Sequence, residues 1–268
     1  MINLKDLDPK QLANISRMLV DIDDTLSTRG KLTGPAFSAL WRLRDAGLSV
    51  VVVTGRPAGW CDHIARFWPV DAVIGENGAF YFYHDGVKLR QRFVYSAEER
   101  KVFRERLIRL RERILASVPG AAIASDQAYR ESDLAIDFCE DVTPLGWESV
   151  ERIKSIFEEG GATAKISSIH VNGWFGQFDK LSTARLWAQE RLGVELSSAR
   201  NTFIYCGDSP NDEPMFRFFP LSAGVANVKP FLPRMTSQPA FLCERECGEG
   251  FCELVAALLQ AQSGPGAA

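Results

Sequence analysis

"RMLVDIDDTL" spans Arg17 to Leu26. Its first half is a short apolar run; its second half sets carboxylates at Asp21, Asp23 and Asp24, with one isoleucine between the first two. Like charges a few ångströms apart repel, and desolvation at a strand end sharpens the repulsion. The pattern calls for a positive partner. Downstream, "GPAFSALWRLRDAG" (34–47) puts Phe37, Leu40, Trp41 and Leu43 at helical spacing before a stop at Gly47. "LSVVVVTG" (48–55) is a β-branched run suited to a strand buried on both faces. "PAGWCDHIARF" (57–67) opens on Pro57, as a first helical turn does, and "DAVIGENGAF" (71–80) is another strand entering a turn. This β-α-β-α-β order predicts a parallel sheet with helices on both faces.

Near residue 80 the rhythm changes. "AFYFYHDGVKLRQRFVY" (79–95) reads as a hairpin around Asp85-Gly86. A long helix follows in 96–118, opened by a Ser96/Glu99 capping box, with Phe103, Leu107, Leu110 and Ile114 on one face. A strand in "SDLAIDF" (132–138), a helix from about Trp147 to Glu159 and the strand-rich "ATAKISSIHVNGWF" (162–175) complete an α+β insert over 85–174. The parallel pattern returns at Asp179, with strands in "TFIYCGD" (202–208) and "LSAGVA" (221–226) and a last helix from about Gly250 to Gln260. The tail 261–268 is expected to lack order. The chain therefore reads as α/β: a Rossmann-like parallel-sheet core, 1–84 and 175–268, carrying an inserted α+β domain, 85–174.

Composition narrows the function classes. Among 268 residues, 31 Lys+Arg against 34 Asp+Glu leave a net charge of −3, which gives no electrostatic case for nucleic acid or an anionic membrane. No apolar run is long enough to span a bilayer, and the N-terminus lacks the apolar centre of a secretory signal. The six cysteines are scattered, and Cys243, Cys247 and Cys252 fit no usual zinc spacing. A cytoplasmic protein with reduced thiols, monomeric or homodimeric, is expected.

Four pieces fall at expected strand ends or helix starts: "DIDDT" (21–25), "TGR" (54–56), "DK" (179–180) and "GDSPNDEPMF" (207–216). Chemistry in an open parallel sheet gathers at the carboxyl ends of the strands. Asp21, Asp23 and Asp208 together make a hard-oxygen pocket suited to Mg²⁺. One carboxylate can then attack phosphorus while another, two residues on, handles protons. Thr54 offers a hydroxyl and Lys180 an ammonium to phosphate oxygens, with backbone donors at Gly55 and the helix start beyond it. The missing positive charge is then Mg²⁺ together with Lys180.

This ordered set closely resembles the haloacid dehalogenase-like superfamily of phosphohydrolases. The resemblance implies Asp21 as nucleophile and metal ligand, and Asp23 as general acid/base whose backbone carbonyl also touches the metal. It implies Thr54 and Lys180 on the phosphate, Asp208 on the metal, and Asn211 and Asp212 in support. An α+β insert between Thr54 and Lys180, preceded by "ENGA" (76–79), resembles subclass IIB, whose inserts act as specificity caps. The group includes Cof-like, sucrose-phosphate, trehalose-6-phosphate and mannosyl-3-phosphoglycerate phosphatases. The implied activity is Mg²⁺-dependent hydrolysis of a small-molecule phosphate ester, expected to be a sugar or glycosyl phosphate. A phosphotransferase or mutase, or a ligand-binding regulator without turnover, are the rival readings. Asp24 departs from the common Gly or Asn, and "DKLS" (179–182) from the frequent Lys-Gly.

Substrate recognition is expected from the insert and from the turn before it. Glu76 and Asn77 sit at a core strand end, while Ser168, His170, Asn172 and Trp174 alternate along one expected strand, polar groups beside an aromatic platform. Arg56 reads equally as a substrate ligand or an exposed helix-start residue. The basic residues of 100–113 interleave with glutamates and read as a solvated face.

Overall fold

The computed structural model describes residues 1–263. In chain order its strands are β1 (Ile2–Asn3), β2 (Arg17–Val20), β3 (Ser27–Thr28), β4 (Lys31–Leu32), β5 (Ser49–Val53), β6 (Ala72–Gly75), β7 (Phe80–His84) and β8 (Leu89–Phe93). Then come β9 (Ala122–Ile123), β10 (Asp133–Asp137), β11 (Thr163–Ile166), β12 (His170–Trp174), β13 (Phe203–Gly207), β14 (Ser222–Gly224) and β15 (Phe241–Leu242). The helices are α1 (Gly34–Asp45), α2 (Ala58–Phe67), α3 (Ala97–Ser117), α4 (Trp147–Glu159), α5 (Lys180–Trp187), α6 (Leu196–Ala199), α7 (Glu213–Phe218) and α8 (Cys247–Ser263). Of the tail expected to lack order, Ala261 to Ser263 close α8, and 264–268 lie outside the described residues. No described helix is long and apolar enough to cross a membrane.

The main sheet runs β1-β15-β14-β13-β2-β5-β6-β7-β8. Every pairing from β1 to β6 is parallel, as the alternating pattern requires, and β7 and β8 add antiparallel at one edge. Side-chain alternation builds a core on each face. Met18, Val20, Val50 and Val52 meet Leu40 and Leu43 of α1, Ile64 of α2 and Leu254 of α8. Leu19, Val51 and Val53 meet Trp187 of α5 and Met215 of α7 on the other face. The chain passes from β2 to β5 and β6 on one side and returns through β13 and β14 on the other. The order therefore reverses at β2, where a crevice opens beyond the strand ends.

A second sheet, β11-β12-β10-β9, is antiparallel throughout and comes wholly from the insert. Leu134, Ile136 and Val171 point to α3 and α4, where Leu107, Leu110, Ile114, Ile153 and Phe157 close a third core. The alternate residues Asp133, Asp137, His170 and Asn172 are buried on the opposite face. Strand β8, placed by sequence inside the insert, stays in the main sheet. Phe93 packs 5.3 Å from Phe80 and 5.5 Å from Phe82 between ring centroids, and this aromatic group belongs to the main core. The Ser96/Glu99 capping box forms as read.

Candidate active site

Three strands deliver the first groups. Asp21 directly follows β2, Thr54 follows β5 and Asp208 follows β13, all three buried at the carboxyl edge of neighbouring strands. Lys180 opens α5, whose preceding residue Asp179 accepts a hydrogen bond from Ser182 N. The turn 76–78 sets the position of that helix. A Cβ on Gly78, at φ +110°, would stand 2.1 Å from the Asp179 carbonyl oxygen, so only glycine lets the turn touch the helix start. Thr183 Oγ1 donates to the Gly78 carbonyl and fixes the contact. Glu76 and Asn77, at φ 45° and 55°, hold left-handed backbone uncommon outside glycine.

Lys180 is 1% exposed; its Nζ donates to Asp21 Oδ1 at 2.8 Å and to Asp212 Oδ1 at 2.6 Å. Asp212 Oδ2 accepts from the amides of Asp208 (2.9 Å) and Ser209 (3.2 Å), and Tyr205 donates its hydroxyl to Oδ1. Gly207 permits this packing, since a Cβ there would lie 2.3 Å from Asp212 Oδ2. Asp208 accepts from Thr25 Oγ1 at 3.1 Å and Asn227 Nδ2 at 3.2 Å, and among the described residues it has no cationic partner. The carboxylates of Asp21, Asp208 and Asp212 offer oxygens within 4.8 Å of one another. Burial pushes Asp21 up to about 7, against the pull of Lys180 and with Asp212 and Asp23 adding to the rise. Burial, with Asp21 and Asp212 beside it, raises Asp208 well above the carboxylate range. For Lys180, burial opposes the charge, but Asp21 and Asp212 outweigh it and hold the pKa above the ordinary lysine value.

Thr54 Oγ1 accepts from Arg56 N at 3.0 Å, which leaves its own proton to donate. Gly55 packs on Asn77, whose side-chain nitrogen is buried without a hydrogen-bond partner and whose oxygen accepts from Asn211 at 3.3 Å. The Asp23 side chain, the expected acid/base group, is held by an arginine. Both its oxygens accept from Arg56 Nε, at 2.9 and 3.0 Å, and Arg56 Nη2 lies 2.8 Å from Oδ1.

Arg56 is 4% exposed, so it is not a solvated helix-start residue. Besides Asp23 it reaches Asp126 (3.3 Å) and Glu140 (2.7 Å) of the insert, and it lies over the Trp60 ring. Burial disfavours the Glu140 charge, yet His170 and Arg56 overcome it and hold that carboxyl at about 2. Arg130 repeats the arrangement from the other side, donating to Asp126, Asp133 and the Gly55 carbonyl. Both arginines tie the insert to the main sheet.

The substrate candidates divide. His170 and Asn172 border a narrow cleft with Asp21, Asp23 and Gly55. His170 Nε2 lies 2.9 Å from Glu140 Oε2, and Asn172 donates to Asp133 Oδ2 at 2.8 Å. Ser168 borders the same cleft, but from the turn before β12 rather than from the strand. Trp174 is no platform for a ligand. It is 1% exposed, stacks on Phe178 and donates Nε1 to the Phe178 carbonyl. Glu76 does not present a free group either. Its carboxylate accepts from four backbone amides, Ala58 in the core and Glu131, Ser132 and Asp133 in the insert.

Sequence reading missed Arg130, Glu140, Asp126, Asn227 and Tyr205. Arg130, Glu140 and Asp126 sit in the insert with no motif around them, and Asn227 and Tyr205 carry none of their own. Only Arg56, next to the "TG" pair, carried a readable signal.

A family model described as haloacid dehalogenase-like hydrolase matches residues 18–103. The phosphoglycolate phosphatase of Methanothrix thermoacetophila is 25% identical over 243 residues, which cover 90% of this chain and 96% of that protein. The phosphoglycolate phosphatase of Pyrobaculum neutrophilum is 31% identical over 182 residues, covering 66% of this chain and 70% of that one. Among solved structures, the sucrose-phosphatase of Synechocystis, determined with sucrose and phosphate, superposes with a TM-score of 0.61 at 16% identity. The match covers 90% of this chain and 97% of that one, a likeness of fold.

Proposed function

The chain belongs to the haloacid dehalogenase-like hydrolases, and from that membership we propose a Mg²⁺-dependent phosphatase that carries the phosphoryl group on Asp21. The observation that carries this reading is the imbalance of charge at the strand ends. Of three buried carboxylates set close together, Asp21 and Asp212 share one buried cation, Lys180, and Asp208 has none among the described residues. A hard divalent cation fits that donor set. Asp21 and Asp208, with the Asp23 backbone carbonyl, would hold Mg²⁺, which supplies positive charge to the phosphate oxygens.

The chain's own groups then divide the work. Thr54, Gly55 and Lys180 hold the phosphate so that an Asp21 oxygen faces phosphorus. Attack by Asp21 breaks the ester P–O bond, and Asp23 gives its proton to the departing oxygen. Water then attacks phosphorus, Asp23 takes the proton back, and the bond to Asp21 breaks to release inorganic phosphate. Asp23 cannot take part while Arg56 holds both its oxygens, so that pair has to separate during the cycle. The insert acts as a cap over this site; the sequence reading set it at 85–174, of which β8 belongs to the main sheet.

For the substrate class, the names of the curated relatives support a phosphorylated short-chain hydroxy acid over the sugar phosphate expected from sequence. The curated relatives are named for phosphoglycolate, a two-carbon ester.

The test is p-nitrophenyl phosphate hydrolysis with and without Mg²⁺, in the wild-type chain and in Asp21→Asn. The variant should lose about 10⁴-fold in kcat, and chelation followed by Mg²⁺ should abolish and then restore turnover. Equal rates in the two proteins would remove Asp21 from the mechanism.

A further inference from the structure

Asp23, Arg56 and Ile169 border two spaces at once. On one side is the closed cleft that contains Asp21 and Gly55. On the other is an open pocket of about 260 Å³, walled by the β3–β4 hairpin and by Cys139 and Glu140 of the insert. A general acid has to touch the bridging oxygen of the bond it helps to break. The scissile bond therefore lies at Asp23, the phosphoryl group on the Asp21 side and the leaving group in the open pocket.

The charges of that pocket are unequally committed. Asp23 and Glu140 are both paired with Arg56. Asp24 borders the pocket as well and adds to the negative charge around Asp208 at the strand ends. Arg29 stands at the tip of the hairpin, exposed, and among the described residues it has neither a hydrogen-bond nor an ion-pair partner. Its backbone is at φ 52° and that of Gly30 at φ 68°, the two left-handed positions of a two-residue hairpin turn. Asn, Asp or Gly normally fills the first of these, and arginine is an uncommon occupant. The turn thus keeps a strained cation at the mouth of the pocket.

We propose that Arg29 is a specificity-determining residue that binds a carboxylate on the leaving group of the phosphate ester. The inference rests on the phosphatase reading above and locates the acid's recognition in the hairpin after Asp24, not in the insert strand that holds His170 and Asn172. An arginine accepts a carboxylate in a bidentate pair, which a neutral ester of equal size does not offer.

The test compares kcat/KM for 2-phosphoglycolate and for 2-hydroxyethyl phosphate in the wild type, Arg29→Asn and Arg29→Lys. Asparagine tolerates the left-handed backbone, so the hairpin keeps its fold. The wild type should prefer the carboxylated ester. In Arg29→Asn the ratio of the two constants should fall tenfold or more, through KM of the carboxylated ester, and lysine should restore part of it. An unchanged ratio in Arg29→Asn, or no wild-type preference, would overturn the role of Arg29. Asp21→Asn, run beside them, separates the two failures. If it is inactive while the ratio stays fixed, only the pocket assignment falls; if it turns over both esters, the phosphatase reading falls too.

Discussion

The strand-end chamber and the seam between the two sheets are both rich in buried charge, and they are held in opposite ways. In the chamber, one lysine faces a surplus of carboxylates supplied by the main sheet, and burial raises Asp21 and Asp208. At the seam, two arginines face four carboxylates, yet each carboxylate is paired: Arg56 with Asp23, Asp126 and Glu140, and Arg130 with Asp126 and Asp133. A cluster that leaves a buried carboxylate without a cation is built to receive one, whereas a cluster with every carboxylate paired closes on itself. The seam is the part that must open, because the cleft it covers has room for about 10 Å³.

Lys180→Met breaks the chamber and should show the larger effect. Asp21 and Asp212 would keep their burial and lose the shared ammonium, which costs about 3–5 kcal/mol for a broken buried pair. Urea denaturation without added metal measures it. Activity should fall by about 10²–10³-fold, the usual cost of one donor to transition-state charge. A stability change below about 1 kcal/mol would mean that Lys180 is not the chamber's counter-ion.

Arg56→Gln breaks the seam and should cost less, about 2 kcal/mol, because its partners Asp23 and Glu140 retain some contact with water. Amide hydrogen exchange should rise around Asp126 and Glu140 while strands β2 and β13 stay protected. Uniform deprotection of both sheets would show that the seam and the chamber open as one unit.

The same contrast explains what the sequence could say. Asp21, Thr54 and Asp208 each follow an apolar strand, so local pattern and the strand-end rule together put them on one edge. Lys180 was readable because Asp179 caps its helix. The seam had no such signature. Arg56 and Glu140 are 84 positions apart in the chain, and neither residue type announces a partner. Trp174 shows the opposite failure. Period-two alternation placed it correctly on the face of His170 and Asn172, but pattern cannot tell a ligand platform from a core residue stacked on Phe178. Ser168 fell outside the strand because the chain turns there, with Ser167 Oγ accepting from the amides of Ile169 and His170.

Glu76 joins the two regions, and its titration gives the most specific effect. Burial, with Asp133 nearby, pushes its carboxyl up to about 8, against Arg130 and the backbone amides that favour the charge. In the unfolded chain the same group titrates near the ordinary glutamate value. Between these two pH values the folded protein binds the extra proton, so stability falls as pH rises from about 4.5 towards 8 and levels off above it. Glu76→Gln carries no titrating proton and removes this contribution. Its urea midpoint should decline less than the wild type's between pH 5 and pH 8, with the two proteins closest at the acid end. A parallel decline would mean that Glu76 is already ionised across the range and that its four amide donors prevail over burial.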